Sequence, residues 1–186
     1  ASTGSGASQY SGSVSLDTNS ISGGYELRDM TRGSTGNRTL NLNHATSGTG
    51  TIYTNPGTSW GDGANYVEGS STTAANGQTA AVDAHFGMAE SWDYFDLVHG
   101  RNGIDGTGRA TYSRVHYSNS YDNAFWSDTC FCMTYGDGST FSTLTSMDVA
   151  GHEMSHGVTA TTAKLAYRRE SGGLNESTSD IFGTAI

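Results

Sequence analysis

Residues 152–156 read His-Glu-Met-Ser-His, two imidazoles four residues apart with a carboxylate beside the first. On a helix, positions i and i+4 share a face, so both rings can take adjacent corners of a tetrahedral metal site. With six His and six Glu in 186 residues, chance supplies about 0.006 such matches per chain. A catalytic zinc takes three protein ligands and keeps a fourth position for water. A third ligand supplied by the same run would need Gly at position 159 and His at position 162, and both are Thr. The acidic candidates downstream are Glu170, Glu176 and Asp180. Glu176 and Asp180 are four apart, so on a helix one can bind metal while the other braces a ligand.

These residues need helices to position them. From Ser146 the pattern is helical, with Val149, His152, Glu153, His156 and Ala160 on neighbouring strips of one face. Gly172-Gly173 is expected to break the chain, and a second helix to open at Leu174 or Asn175 with Ile181 and Phe182 inward. That helix is still running at Ile186, so the end reads as a cut. Upstream, Ala81, Ala84, Met88, Trp92 and Phe95 recur at three- and four-residue spacing, predicting a long amphipathic helix over about 78–98 with Asn76 or Thr79 as its cap. His85, beside that stripe, reads as a packed, hydrogen-bonded core residue. Residues 1–75 are rich in Gly, Ser, Thr and Asn, and Gly12–Leu16, Tyr25–Arg28 and Thr39–Leu42 alternate as short strands. More strands are expected in 110–117 and 121–135. The expected architecture is α+β: a β-rich domain over 1–145 containing one long helix, then 146–186 with the active-site helix and the start of the next.

Composition narrows the partners. Nine Lys+Arg against 18 Asp+Glu give a net charge of −9, which excludes a phosphate-backbone partner held by clustered cations. No apolar run approaches the roughly 18–20 residues that cross a bilayer. The chain starts at Ala1 without an initiator Met or a charged-then-apolar leader, and reads as a mature, secreted protein. Hydrophobic residues make up 34%, enough to form a core. No nucleotide-binding glycine pattern occurs. Cys130 and Cys132 stand at i and i+2, where a bridge demands a kinked backbone and no thiolate set completes a zinc tetrahedron. A structural or disulfide role stands there beside a metal or redox one. Asp137, between Gly136 and Gly138, reads as a turn residue or a cation contact.

His152–His156, followed after one helix and a Gly-Gly turn by Asn175-Glu-Ser-Thr-Ser-Asp180, resembles the thermolysin-like (M4) zinc metallopeptidases. The resemblance extends through Val115–Ser118, Tyr121, Asn123–Trp126, Tyr135–Gly138, Val82–His85 and Trp60, most of the chain after about residue 50. It implies a thermolysin-like zincin fold, truncated before the helical C-terminal domain. By position it implies that His152, His156 and Glu176 hold Zn2+, that Glu153 is the general base, and that Asp180 orients a zinc-binding imidazole, that of His152. Tyr167 matches a hydrogen-bond donor to the tetrahedral oxyanion. Asn123 and Ala124 match positions that hold an extended substrate backbone. Phe141, Leu144 and Val149 resemble the apolar wall of the pocket for the residue after the scissile bond, implying a preference for bulky apolar residues there. Ca2+ is a second candidate ion: Asp148 matches a calcium-ligand position whose usual partners fall beyond Ile186, whereas Asp62 has Ala64 where an acidic neighbour is usual.

The implied activity is that of a secreted zinc metalloendopeptidase. Its partners would be a peptide or protein substrate, the missing C-terminal domain of the same enzyme, and a propeptide or protein inhibitor, with neither nucleic acid nor membrane. In the family, the missing domain supplies an oxyanion histidine, its acidic partner and a substrate-binding arginine, so this chain alone is expected to be incomplete. The alternative is a non-catalytic, zinc-binding secreted protein-interaction domain. An intact Glu153 argues against it, because a binding module has no need of a base beside a metal.

Overall fold

A computed structural model describes residues 1–186. The first third folds into β1 (Ser2–Ser8), β2 (Gly12–Ile21), β3 (Gly24–Glu26), β4 (Arg28–Asp29), β5 (Asn37–Asn41), β6 (Thr51–Ile52), β7 (Thr54–Asn55) and β8 (Ser59–Trp60). Helix α1 (Ala75–His99) follows, then β9 (Tyr112–Val115), β10 (Ala124–Ser127), β11 (Cys132–Tyr135), α2 (Met147–Thr161) and α3 (Arg169–Ala185). Strand β1 carries only small side chains. It forms because β2, which turns Val14, Leu16 and Thr18 inward at period two, pairs with it along its whole length.

One sheet has five strands in the order β7-β3-β2-β1-β8, and the other runs β10-β11-β9-β5-β4 with β6 also on β5. Helix α1 packs against strands of both sheets and against α2. The core gathers Leu16, Leu27, Trp60, Val82, Met88, Phe95, Ile104, Val115, Met133, Tyr135 and Met154.

Four expectations about helices are corrected. Helix α1 buries all five predicted stripe residues, but it is not amphipathic along its first half: the nine residues Gly77 through His85 are all buried, because elements pack around that end. Neither Asn76 nor Thr79 caps it. Ala74 occupies that place without a side-chain bond, while Asn76 is turned to the backbone of Ala64, Asn65 and Val67. Helix α3 begins at Arg169, not Leu174, and Gly172-Gly173 lies inside it. The Gly172 N–H donates to the Arg168 carbonyl, and packing against α2 outweighs the low helix propensity of glycine. Ile181 does not face inward. It is 63% exposed, whereas Phe182 packs on Phe95 with ring centroids 5.2 Å apart.

His85 is wholly enclosed, bonded to Thr39 Oγ1 and to the Asp17 carbonyl, each at 2.8 Å, and burial pushes its pKa down. Cys130 and Cys132 are joined in a disulfide across the β10–β11 turn. The kink this requires falls on Phe131, whose φ is +55°. The Phe131 ring lies against Trp126 on one contact and under the Arg109 guanidinium, 4.1 Å from its centroid, on another.

Candidate metal centre

Helix α2 places His152 and His156 one turn apart, and helix α3 crosses it closely enough to add its own side chains. The crossing depends on glycine: a Cβ on Gly183 would lie 2.6 Å from the Asp148 carbonyl oxygen and 3.0 Å from the His152 nitrogen. Larger residues there would hold the helices apart.

His152 Nδ1 donates to Asp180 Oδ1 at 2.8 Å, and His156 Nδ1 donates to Asn175 Oδ1 at 2.7 Å. Both rings therefore turn Nε2 toward a common point, where the two Nε2 atoms are 3.0 Å apart. Glu176 reaches the same point, Oε2 lying 3.2 Å from His152 Nε2 and Oε1 3.5 Å from His156 Nε2. Ligands bonded at roughly 2.0–2.2 Å in a tetrahedron sit about 3.3–3.5 Å from one another. The three donors thus fit a zinc ion with one side left open. The Tyr167 hydroxyl also donates to Glu176 Oε1, from a residue 69% exposed at the edge of the cleft.

Glu153, next to His152 on α2, reaches toward β10. Its Oε2 accepts the Trp126 N–H at 2.9 Å. Burial pushes its pKa up to about 7, against the lowering effect of His156 and of the Trp126 N–H, with Glu176 raising it further. Strand β10 is the outer strand of its sheet. With α2, α3 and their connection it encloses a cleft of about 580 Å³, lined by Asn123, Ala124, Trp126, His152, Glu153, His156, Tyr167 and Glu176 among others.

Beside it a recess of about 260 Å³ is lined by Leu144, Val149, Asp148, Asp180, Asn123 and Ala124. Phe141, grouped with Leu144 and Val149 from sequence, does not line it. It is 63% exposed, in a segment whose Ser139 hydroxyl and backbone N–H groups from Ser139 to Phe141 donate to Asp122 and hold that carboxyl below its usual range. Asp148 accepts from the Ser146 hydroxyl at 2.5 Å. Asp62 bonds to Thr79 Oγ1 and the Ala64 N–H, so hydrogen bonds occupy it.

Two contributors are not legible as roles in the sequence. Asn175 aims His156, with its own amide fixed on the Leu165 carbonyl. Its signal was its place directly before Glu176. The Trp126 N–H belongs to the backbone and leaves no trace in residue type.

Comparison with known proteins agrees with this geometry. The family model described as "Thermolysin metallopeptidase, catalytic domain" matches residues 3–160, and "Thermolysin metallopeptidase, alpha-helical domain" matches 163–186. The two meet in the connection between α2 and α3. The transglutaminase-activating metalloprotease of Streptomyces mobaraensis is 54% identical over 98% of this chain and 22% of its own length. A thermolysin of Alicyclobacillus acidocaldarius is 42% identical over 93% of this chain and 29% of its own. The solved precursor of protealysin, a metalloproteinase from Serratia proteamaculans, superposes with a TM-score of 0.64 at 31% identity, over 79% of this chain and 41% of that one. The chain spans about a fifth to a third of the length of these curated relatives. With its catalytic-domain match running through both imidazoles and its helical-domain match through Glu176, this chain belongs to the thermolysin metallopeptidase family.

Proposed function

We propose that the chain is the catalytic-domain portion of a secreted zinc metalloendopeptidase. The observation that carries this reading is the convergence of His152 Nε2, His156 Nε2 and Glu176 on one point, with Glu153 lining the same cleft. Zinc held there would polarise a peptide carbonyl and lower the pKa of a water at the open position. Glu153 Oε accepts the proton of the attacking water as its oxygen bonds to the carbonyl carbon, then delivers it to the amine nitrogen as the C–N bond breaks. Asp180 and Asn175 are positioning residues that keep the rings' lone pairs on the metal side.

The free edge of β10, with Asn123 and Ala124, can pair with an extended substrate backbone. Leu144 and Val149 line the recess for a bulky apolar side chain after the scissile bond, and Phe141 can approach it only if its loop moves. Tyr167, now on Glu176, is within the cleft and can turn its hydroxyl to the oxyanion. No helix is long and apolar enough to cross a membrane, and secretion fits the acidic, lysine-poor composition. Calcium at Asp148 would need ligands from outside these residues. The remaining substrate-binding groups would come from the helical domain of a longer protein, and a propeptide is a fitting partner.

The test is Glu153→Gln, made in the chain extended by a helical domain of the family. It should keep one zinc per molecule while kcat/KM on a casein-type substrate falls by about 10²–10⁴-fold. Undiminished cleavage would remove Glu153 from the mechanism, and absence of zinc after metal-replete refolding would remove the metal centre.

A further inference from the structure

Asp128 is the one acid of the cleft that the proposed mechanism leaves without a task. Glu176 belongs to the metal and Glu153 to the attacking water, and no Lys or Arg lines the cleft beside them. Asp128 is the first residue of the turn 128–131 that joins β10 to β11. Its Oδ1 accepts the Trp126 indole N–H at 2.7 Å, and its second oxygen meets no protein donor. The residue is exposed. Arg109, the cation set over the Phe131 ring of the same turn, forms no ion pair with it.

The turn itself is braced. The Cys130–Cys132 disulfide closes it, and the Phe131 ring packs on Trp126 with centroids 5.1 Å apart. A carboxylate fixed in this way loses little conformational freedom when it meets a charged partner.

Where a substrate would meet Asp128 follows from the two ends of β10. The recess for the side chain after the scissile bond lies at Asn123 and Ala124, and Asp128 lines the cleft at the opposite end of the same strand. A substrate paired with that edge therefore runs antiparallel to β10, and its residues before the scissile bond extend toward Asp128. The Asp128 side chain folds back onto Trp126, two residues beyond Ala124 and three beyond Asn123. Counting one substrate residue per strand residue from the recess, the carboxylate is level with the second or third residue before the bond.

We infer that Asp128 selects peptides carrying a basic side chain, Lys or Arg, two or three residues before the scissile bond. The inference rests on the endopeptidase reading of the cleft. An ammonium or guanidinium at that position pairs with the free oxygen without displacing the Trp126 indole. An acidic side chain meets like charge there, in a molecule whose net charge of −9 adds to the repulsion. Because the pair is open to solvent, the preference is modest and weakens as salt is added.

The test uses the zinc-loaded chain extended by a helical domain of the family. It compares kcat/KM for peptides that share one bulky apolar residue after the scissile bond and carry Lys, norleucine or Glu two, and separately three, residues before it. At one of the two positions Lys should exceed norleucine by about two- to fivefold and Glu should fall below it by a similar factor, with the spread shrinking at high salt. Asp128→Asn keeps an acceptor for the Trp126 indole and should bring the three peptides level, and Asp128→Lys should reverse their order. Equal cleavage of the Lys and Glu peptides by the wild type would overturn the inference. So would a Lys preference that survives Asp128→Asn. Failure to cut any of the peptides, norleucine included, would overturn the endopeptidase reading and this inference with it.

Discussion

His152 and His156 each commit one ring hydrogen to α3, and that commitment decides where their lone pairs point. Asp180→Ala or Asn175→Ala should weaken zinc binding by roughly 10–100-fold, measured by competition with a chelator, while leaving one binding site per molecule. That His152 and His156 share a side was legible because a four-residue spacing fixes a helix face, whereas the choice of Glu176 among the downstream acids came with the family resemblance and not with spacing. The place of Phe141 was not legible, because it follows from four backbone and hydroxyl contacts to Asp122 that no periodicity encodes. Asp122→Ala should loosen residues 139–141 and raise their hydrogen-exchange rates. Asp122 has a folded pKa depressed below its unfolded value. Its contribution to loop order is therefore complete above about pH 4 and is lost progressively as the pH falls from there through its lowered folded value. In wild type, exchange in this loop, corrected for intrinsic rates, should rise on acidification, and in Asp122→Ala it should not.

At the scale of elements, the site is made where α3 lies on α2. Gly183→Val should cost about 1–3 kcal/mol in denaturant unfolding, because its side chain meets the backbone of Asp148 and His152. The same change should weaken zinc binding, since Asn175, Glu176 and Asp180 all ride on the displaced helix. The first half of α1 and the onset of α3 were misread for one physical reason. Periodicity reports a helix that has one wet face, whereas Gly77 through His85 have none. Gly172 and Gly173 read as breakers because local propensity speaks against them, yet tertiary contact with α2 carries the helix through. Strand β1 has too few apolar side chains to be seen, and exists through its pairing with β2 and β8.

Across the whole molecule, Asp83 joins the first strand, the long helix and the segment that leads into α2. It sits on α1, accepts from the Ser8 hydroxyl and the Gln9 N–H, and is met by the Thr145 hydroxyl just before α2. Burial pushes its pKa up to about 6 despite those donors. A carboxyl whose folded pKa is raised contributes its stability fully below its unfolded value near 3.9 and loses it as the pH rises through about 6. The difference in Tm between wild type and Asp83→Asn should therefore shrink, or reverse in favour of the variant, from pH 4 to pH 7. A difference independent of pH would mean that the donors, not burial, govern this group. The disulfide has a further consequence for a molecule proposed to cut before bulky apolar residues. Phe131 is such a residue, enclosed between the two half-cystines. Self-cleavage at either of its peptide bonds would leave both ends joined through sulfur, so a nicked chain would migrate as an intact one until a reductant separates it into two fragments.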